Sequence, residues 1–200
     1  MAARTEASRS SADDWCIGRA ISALMVTRQS LPRLWMMTDE RQGEDVIAAV
    51  ENLPRGAGIV FRHYSLASDA RRELFDRVLR AARGQGMRVL LAGSPGEAEL
   101  WGADGWHGWG NGGGLRSVSV HSLRELRRAE AQGAALLFVS PVFATRSHPG
   151  ARFLGTRGFA RLAAQARRPV IALGGVTYAN APKLLRLGAY GWAGIGAWTP

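Results

Sequence analysis

The chain has one cysteine, one lysine and no long apolar run, and each scarcity removes a class of protein. Cys16 alone cannot form an internal disulfide or a cysteine-based zinc cluster, and a single thiol fits a cytoplasmic protein. No apolar stretch reaches the roughly 18 residues of a membrane span. The early patch from Ile17 to Val26 is broken by Gly18 and Arg19 and lacks a small-residue cleavage site, so neither a membrane partner nor a secretory signal is expected. Lys183 is the only lysine among 26 basic residues; with 16 acidic ones the formal charge is +10. No basic run is interleaved with stacking aromatics, which argues against a nucleic-acid partner. An arginine-biased composition and an anionic small substrate account for the charge. Arg71-Arg72, Arg127-Arg128 and Arg167-Arg168 fall on or at the ends of predicted helices, where a solvated face explains them.

What is present is a repeating pattern. With 200 residues and 46% hydrophobic content the chain can bury a substantial core. Residues 1–12 are small and polar and read as a disordered tail; 13–200 read as one domain, opening with a helix over 13–29. After Pro32, short apolar runs alternate with segments of helical period. Strands are predicted at Leu34–Met37, Gly58–Phe61, Met87–Leu91, Asp104–Trp106, Ser117–Val120, Ala135–Val139, Val170–Leu173 and Tyr190–Ile195. Helices are predicted at Asp45–Asn52, Ser68–Arg83, Glu97–Trp101, Leu123–Gln132, Thr156–Ala166 and Ala179–Leu187. Eight such strands predict a single (β/α)8 TIM barrel, with a doubly wound sheet as the alternative. No eighth helix follows the last strand before Pro200, and the helix over 13–29 is expected to cover that gap.

Chemistry concentrates at the predicted C-terminal strand ends, which line a barrel's mouth. Gly174 and Gly175 close the seventh strand, with helix signals after them, and Gly194-Ile195-Gly196 closes the eighth. Glycines there let backbone amides approach a ligand, and two adjacent turns of this kind suggest a phosphate grip. All four histidines are read as following strand ends: His63, His107, His121 and His148. Their spacing matches no compact metal motif, and no acidic residue accompanies them, so a zinc site is weakly supported. Gly108-Trp109-Gly110-Asn111-Gly112-Gly113 spells G-x-G-x-x-G, but a strand rather than a long helix follows, which rejects a dinucleotide site and leaves a glycine-rich rim loop. Trp101, Trp106 and Trp109 read as packing or rim residues that could also stack on a flat ligand.

In order and spacing, Met37-Thr38-Asp39, Phe61-Arg62, Gly102 to His107, Ser119-Val120-His121-Ser122, Ser140 to Thr145 and Ile171 to Val176 resemble the thiamin phosphate synthase/TenI family over residues 34–198. The resemblance implies a barrel that handles a phosphorylated small molecule, thiazole phosphate, in thiamin biosynthesis. It also implies that synthases of the family join a pyrimidine pyrophosphate to it, using Mg²⁺, acidic residues and lysine to hold the leaving group. This chain departs at those positions: Ala92-Gly93 stands for Asn-Asp, Gly112 for a second Asp, Tyr64 and His148 for lysines, and Gly196 for a serine. The resemblance therefore points toward TenI-like members, which are aminothiazole tautomerases and need no metal. It assigns His121 as the proton-transferring catalyst, a role that suits histidine. Arg62, Ser119, Thr145, Ser147, His148, Gly174, Gly175, Ile195 and Gly196 are the expected substrate and phosphate ligands. No cofactor is expected, and Mg²⁺ enters only if the chain is a synthase with a divergent metal site. A non-catalytic barrel that binds a phosphorylated ligand is the third reading.

Overall fold

The computed structural model describes residues 30–145, 150 and 152–195. The predicted tail over 1–12 and helix over 13–29, and the site candidates Ser147, His148 and Gly196, lie outside the described residues. The barrel belongs to the unit that begins at Pro32.

Eight parallel strands close into a barrel in sequence order, β1 pairing with both β2 and β8. They are β1 (Leu34–Met37), β2 (Gly58–Phe61), β3 (Arg88–Ala92), β4 (Gly105–His107), β5 (Leu115–Val120), β6 (Leu136–Val139), β7 (Val170–Ala172) and β8 (Gly191–Gly194). Most strand positions are buried, as expected where one face meets the barrel interior and the other the helices. The helices are α1 (Val46–Glu51), preceded by a 3-10 turn over Glu40–Asp45, then α2 (Ser68–Gly84), α3 (Pro95–Leu100), α4 (Leu123–Ala131), α5 (Gly155–Ala163) and α6 (Ala181–Arg186). Ser94 and Ser122 accept hydrogen bonds from the Glu97 and Glu125 amides, and so cap α3 and α4. Phe75, Val78, Leu79 and Ala82 form the buried face of α2.

Trp35 shows how the interior is filled. It is fully buried, meets Phe138 edge-on with centroids 5.6 Å apart, and donates its indole N–H to the Pro32 carbonyl at 2.7 Å. Its neighbours in register are Gly58 on β2 and Ala193 on β8, two small residues flanking one large one. A Cβ at Gly58 would fall on the Trp35 ring.

The connection from β4 to β5 departs from the repeat. Parallel neighbours usually need about a dozen residues or more to cross over. Here residues 108–114 suffice, five of them glycine, with positive φ at Gly108 (153°), Gly110 (143°) and Gly114 (80°).

Four expectations change. His107 is the last residue of β4, buried, rather than a loop residue after it. The helix after β7 begins at Ala181 because Thr177 to Asn180 first form a turn closed by Asn180, so the glycine turn does not abut a helix end. Strand β5 starts at Leu115, two residues earlier than the pattern suggested, because its first residues pair with Gly105 and Trp106 of β4. Arg71 is not on a solvated face: it is buried, donating to the Arg62 and Ala92 carbonyls and to Glu97 Oε1 at 2.8 Å. These bonds tie α2 to the ends of β2 and β3.

Candidate active site

A cavity of about 580 Å³ opens at the C-terminal ends of the strands. It gathers Arg62, Ser119, His121, Thr145, Gly174 and Ile195, residues spread over 134 positions of sequence that the strand-end pattern and the resemblance single out. Gly175 follows Gly174 in the same turn but does not border the cavity. His107, Trp109, Ser140 and Arg152 also line it.

His121 follows β5 directly and precedes α4. Glu125 in the first turn of α4 accepts the His121 backbone N–H at 2.6 Å, anchoring the junction. The ring's Nδ1 lies 2.6 Å from the Ser140 carbonyl oxygen. A carbonyl can only accept, so Nδ1 carries the proton and donates it, which leaves Nε2 with its lone pair in the neutral ring.

The glycine turn after β7 presents amides by a similar exclusion. The Leu173 carbonyl accepts from the Val142 amide and the Gly174 carbonyl from the Phe143 amide, each at 2.9 Å. In a trans peptide the N–H points opposite its own C=O. The amides of Gly174 and Gly175 therefore point away from the loop after β6. Gly174 has φ of 90°, and an added Cβ would lie 2.8 Å from Pro141; Gly175 has φ of 64°, and a Cβ there would lie 2.5 Å from the Ala144 carbonyl oxygen. Neither place admits a side chain.

Arg62 leans in from β2. Its Nε donates to the Thr38 carbonyl at 2.7 Å and its Nη2 to Asp39 at 2.9 Å. Asp39 also takes two bonds from the Arg41 side chain; these, ahead of the Arg62 charge, hold its carboxyl at about 2. Beneath the cavity, His107 bridges two hydroxyls, with Nδ1 2.8 Å from Ser117 Oγ and Nε2 3.2 Å from Ser119 Oγ. Burial, with the Arg62 charge adding to it, lowers its pKa to about 4, so it is neutral at pH 7. The site thus holds a buried neutral histidine and an exposed one.

His63 does not join them. It sits at φ of 37°, stacked on Phe61 with centroids 4.9 Å apart, and its Nδ1 meets Thr38 Oγ1 at 3.0 Å. Burial lowers its pKa as well. Both shifts have the same consequence for stability. Between pH 6.5 and about 4 the unfolded chain binds protons that folded His107 refuses, so stability falls as pH drops through that window, by about 3 kcal/mol from His107 alone. The Asp39 contribution is lost only below its unfolded value of 3.8, outside that window. Urea midpoints at pH 7 and pH 4.5 should show this loss, and His107→Asn should make it smaller; an equal loss in the variant would refute the assignment to His107.

The positions where the resemblance places metal carboxylates do not fit a metal. A Cβ at Gly93 would lie 2.5 Å from Glu97 Oε2, and a Cβ at Gly112 would lie 2.6 Å from the Pro95 ring. Neither position carries a carboxylate, and while the flexible Glu97 tip can swing aside, the Pro95 ring beside Gly112 cannot. Glu97 itself is engaged by Arg71. Among the described residues, no three His, Cys, Asp or Glu side chains are placed to hold a metal ion.

Of the residues that sequence reasoning overlooked, Arg152 carried only one signal, a basic residue in the loop before α5. The roles of Pro95 and Glu97 carried none, since they follow from packing between α3 and the loop after β4.

Known proteins bear on this geometry. The family model described as thiamine monophosphate synthase matches residues 115–198. A protein of Aquifex aeolicus, provisionally named thiamine-phosphate synthase 2, is 32% identical over 181 residues, covering 82% of this chain and 96% of its own length. The chain belongs to the thiamine monophosphate synthase/TenI family. A thiamine-phosphate synthase of Salinispora arenicola is 34% identical across 84% of this chain and 89% of its own length. Several other synthases of the family match over only 80 residues, 39% of their length. Among solved structures, a thiamine phosphate pyrophosphorylase from Pyrococcus furiosus superposes with a TM-score of 0.72 at 27% identity, covering 84% of this chain and 86% of that one. Among the described residues, no helix of this family member is long and apolar enough to cross a membrane.

Proposed function

We propose that this chain is a TenI-like tautomerase that moves a proton on a thiazole phosphate so that the ring becomes aromatic. The observation that carries the reading is the Nδ1–Ser140 hydrogen bond, which leaves His121 Nε2 as an acceptor at the wall of the cavity. In this reading Nε2 takes a proton from the non-aromatic tautomer. The resulting imidazolium, stabilised by the Ser140 carbonyl at Nδ1, returns it to a different atom of the same ring. Atoms and charge balance without a metal, a cofactor or a leaving group.

The phosphate is assigned to the glycine turn at the Gly174 amide, with Ile195, Gly196, Thr145, Ser147 and His148 around it. Arg62 supplies a positive charge, and Ser119, ordered by neutral His107, offers a hydroxyl to the ring. The absence of a carboxylate at Gly93 and Gly112 favours this chemistry over pyrophosphate departure, which needs charge stabilisation at the leaving oxygens.

The second reading is thiamine-phosphate synthase, favoured by the names of the full-length relatives. One experiment separates the two. Purified protein is given pyrimidine pyrophosphate, thiazole phosphate and Mg²⁺, and separately the non-aromatic thiazole tautomer. We expect no thiamin phosphate in the first mixture and appearance of the aromatic thiazole absorbance in the second. Thiamin phosphate formed at a useful rate would reverse the ranking.

A further inference from the structure

Five tryptophans lie among the described residues, and four of them are buried: Trp35, Trp101, Trp106 and Trp192. Trp109 is 41% exposed, and it borders the cavity. An indole has the largest apolar surface of any side chain, and leaving it in water forfeits the gain from burial. Trp109 is nevertheless held firmly in that position.

The loop on which it sits is pinned on both sides. The Gly108 amide donates to the Ser117 carbonyl at 3.0 Å. The Gly110 carbonyl accepts from Arg116, whose guanidinium also donates to the Ala129 carbonyl at 3.2 Å. Arg116 is 1% exposed and, among the described residues, is paired with no carboxylate. A buried cation without a counter-charge is costly. Here its hydrogen bonds are spent on the loop that carries Trp109 and on α4, while its charge lies 5.2 Å from the Trp106 ring centroid. Gly108 and Gly110, on either side of Trp109, hold backbone conformations that L side chains rarely adopt. Arg128 of α4 covers the indole, its guanidinium carbon 4.8 Å from the ring centroid. The indole that Arg128 covers borders the cavity together with His107, Ser119 and His121.

We infer that Trp109 is a specificity-determining residue, a preset platform on which the planar heteroaromatic ring of the substrate packs while its phosphate lies at the glycine turn. This rests on the reading of the cavity as the site of a phosphorylated ring, and goes beyond it by assigning what discriminates the ring from other phosphate esters. A flat ring gains contact over its whole face, whereas a puckered sugar phosphate touches the indole at few atoms.

Calorimetric titration tests this with four probes: thiazole phosphate, pyridoxine 5′-phosphate, ribose 5-phosphate and inorganic phosphate. Wild-type protein should bind the two ring phosphates more tightly than the other two. Trp109→Ala should weaken the ring phosphates by about tenfold or more and leave inorganic phosphate unchanged, since only the ring loses its stacking face. Trp109→Phe should restore most of the loss, and Arg128→Gln should weaken ring binding by about threefold. Equal weakening of all four probes, or none, overturns the assignment. If pyridoxine 5′-phosphate depends on Trp109 while thiazole phosphate does not bind, the platform stands and the thiazole reading falls.

Discussion

Replacing His121 with alanine is expected to reduce tautomerase turnover by 10²- to 10⁴-fold, the usual contribution of one positioned acid–base group. Substrate affinity should stay within a fewfold of wild type. The reason for the split is local. The His121 ring is exposed, and its backbone is held by Glu125 and by the Ser122 cap of α4 rather than by its own side chain. Removing the imidazole therefore leaves the Gly174 turn, Arg62 and Ser119 in place. Turnover is read from the aromatic thiazole absorbance and binding from calorimetry on the same preparation. Free imidazole added to the variant should recover part of the rate, because the cavity left by the ring opens beside the Ser140 carbonyl. Unchanged turnover in the variant sinks the assignment of His121 as the catalyst.

The second large effect concerns closure of the barrel. Gly191→Ala should destabilise the fold by about 3 kcal/mol or more, the upper end for an enlargement that has nowhere to go. A Cβ at Gly191 would land on the Arg33 carbonyl oxygen, with Arg33 carbon atoms behind it. That carbonyl accepts from the Trp192 amide at 2.8 Å, one of the bonds joining β8 to β1. A side chain can rotate away from an intruding methyl group, but a hydrogen-bonded backbone cannot, so the seam between first and last strands must open. Gly84→Ala is the control: it lies at the end of α2, nothing stands within 4 Å of its would-be Cβ, and it should be neutral or slightly stabilising. Urea midpoints compare the two. Equal midpoints for Gly191→Ala and wild type would show that the seam tolerates the methyl group.

The fold was legible because its signals are local. Leu34–Met37 and Gly58–Phe61 are strands with the predicted boundaries, since each is a short apolar run bounded by turn residues. Ser122 and Gly133 bracket α4 as capping rules require. The site was legible where chemistry and backbone coincide. Gly174 and Gly175 hold positive φ, and His121 is a titratable residue at a strand end. Arg71 could not be read correctly. The same arginine on the same helix period is a solvated charge or a buried clamp depending on which carbonyls lie across from it, and the Arg62 and Ala92 carbonyls are remote in sequence. His107 was misplaced by one residue at a strand end, and in an alternating strand that step decides between loop and floor.

That Gly93 and Gly112 stand where the resemblance places metal carboxylates is visible in the letters. That the Pro95 ring stands 2.6 Å from a would-be Cβ at Gly112 is not, because it depends on how closely α3 packs under the loop after β4. By itself the sequence determined the eight-strand repeat and the glycine pair after the seventh strand, properties of neighbouring residues and their periods, while the choice of His121 among the rim histidines came from the resemblance. Only the tertiary structure decided that Nδ1 of that histidine meets the Ser140 carbonyl after another strand, and that Trp109 borders the cavity. Those are contacts between segments that the chain brings together only when the barrel closes.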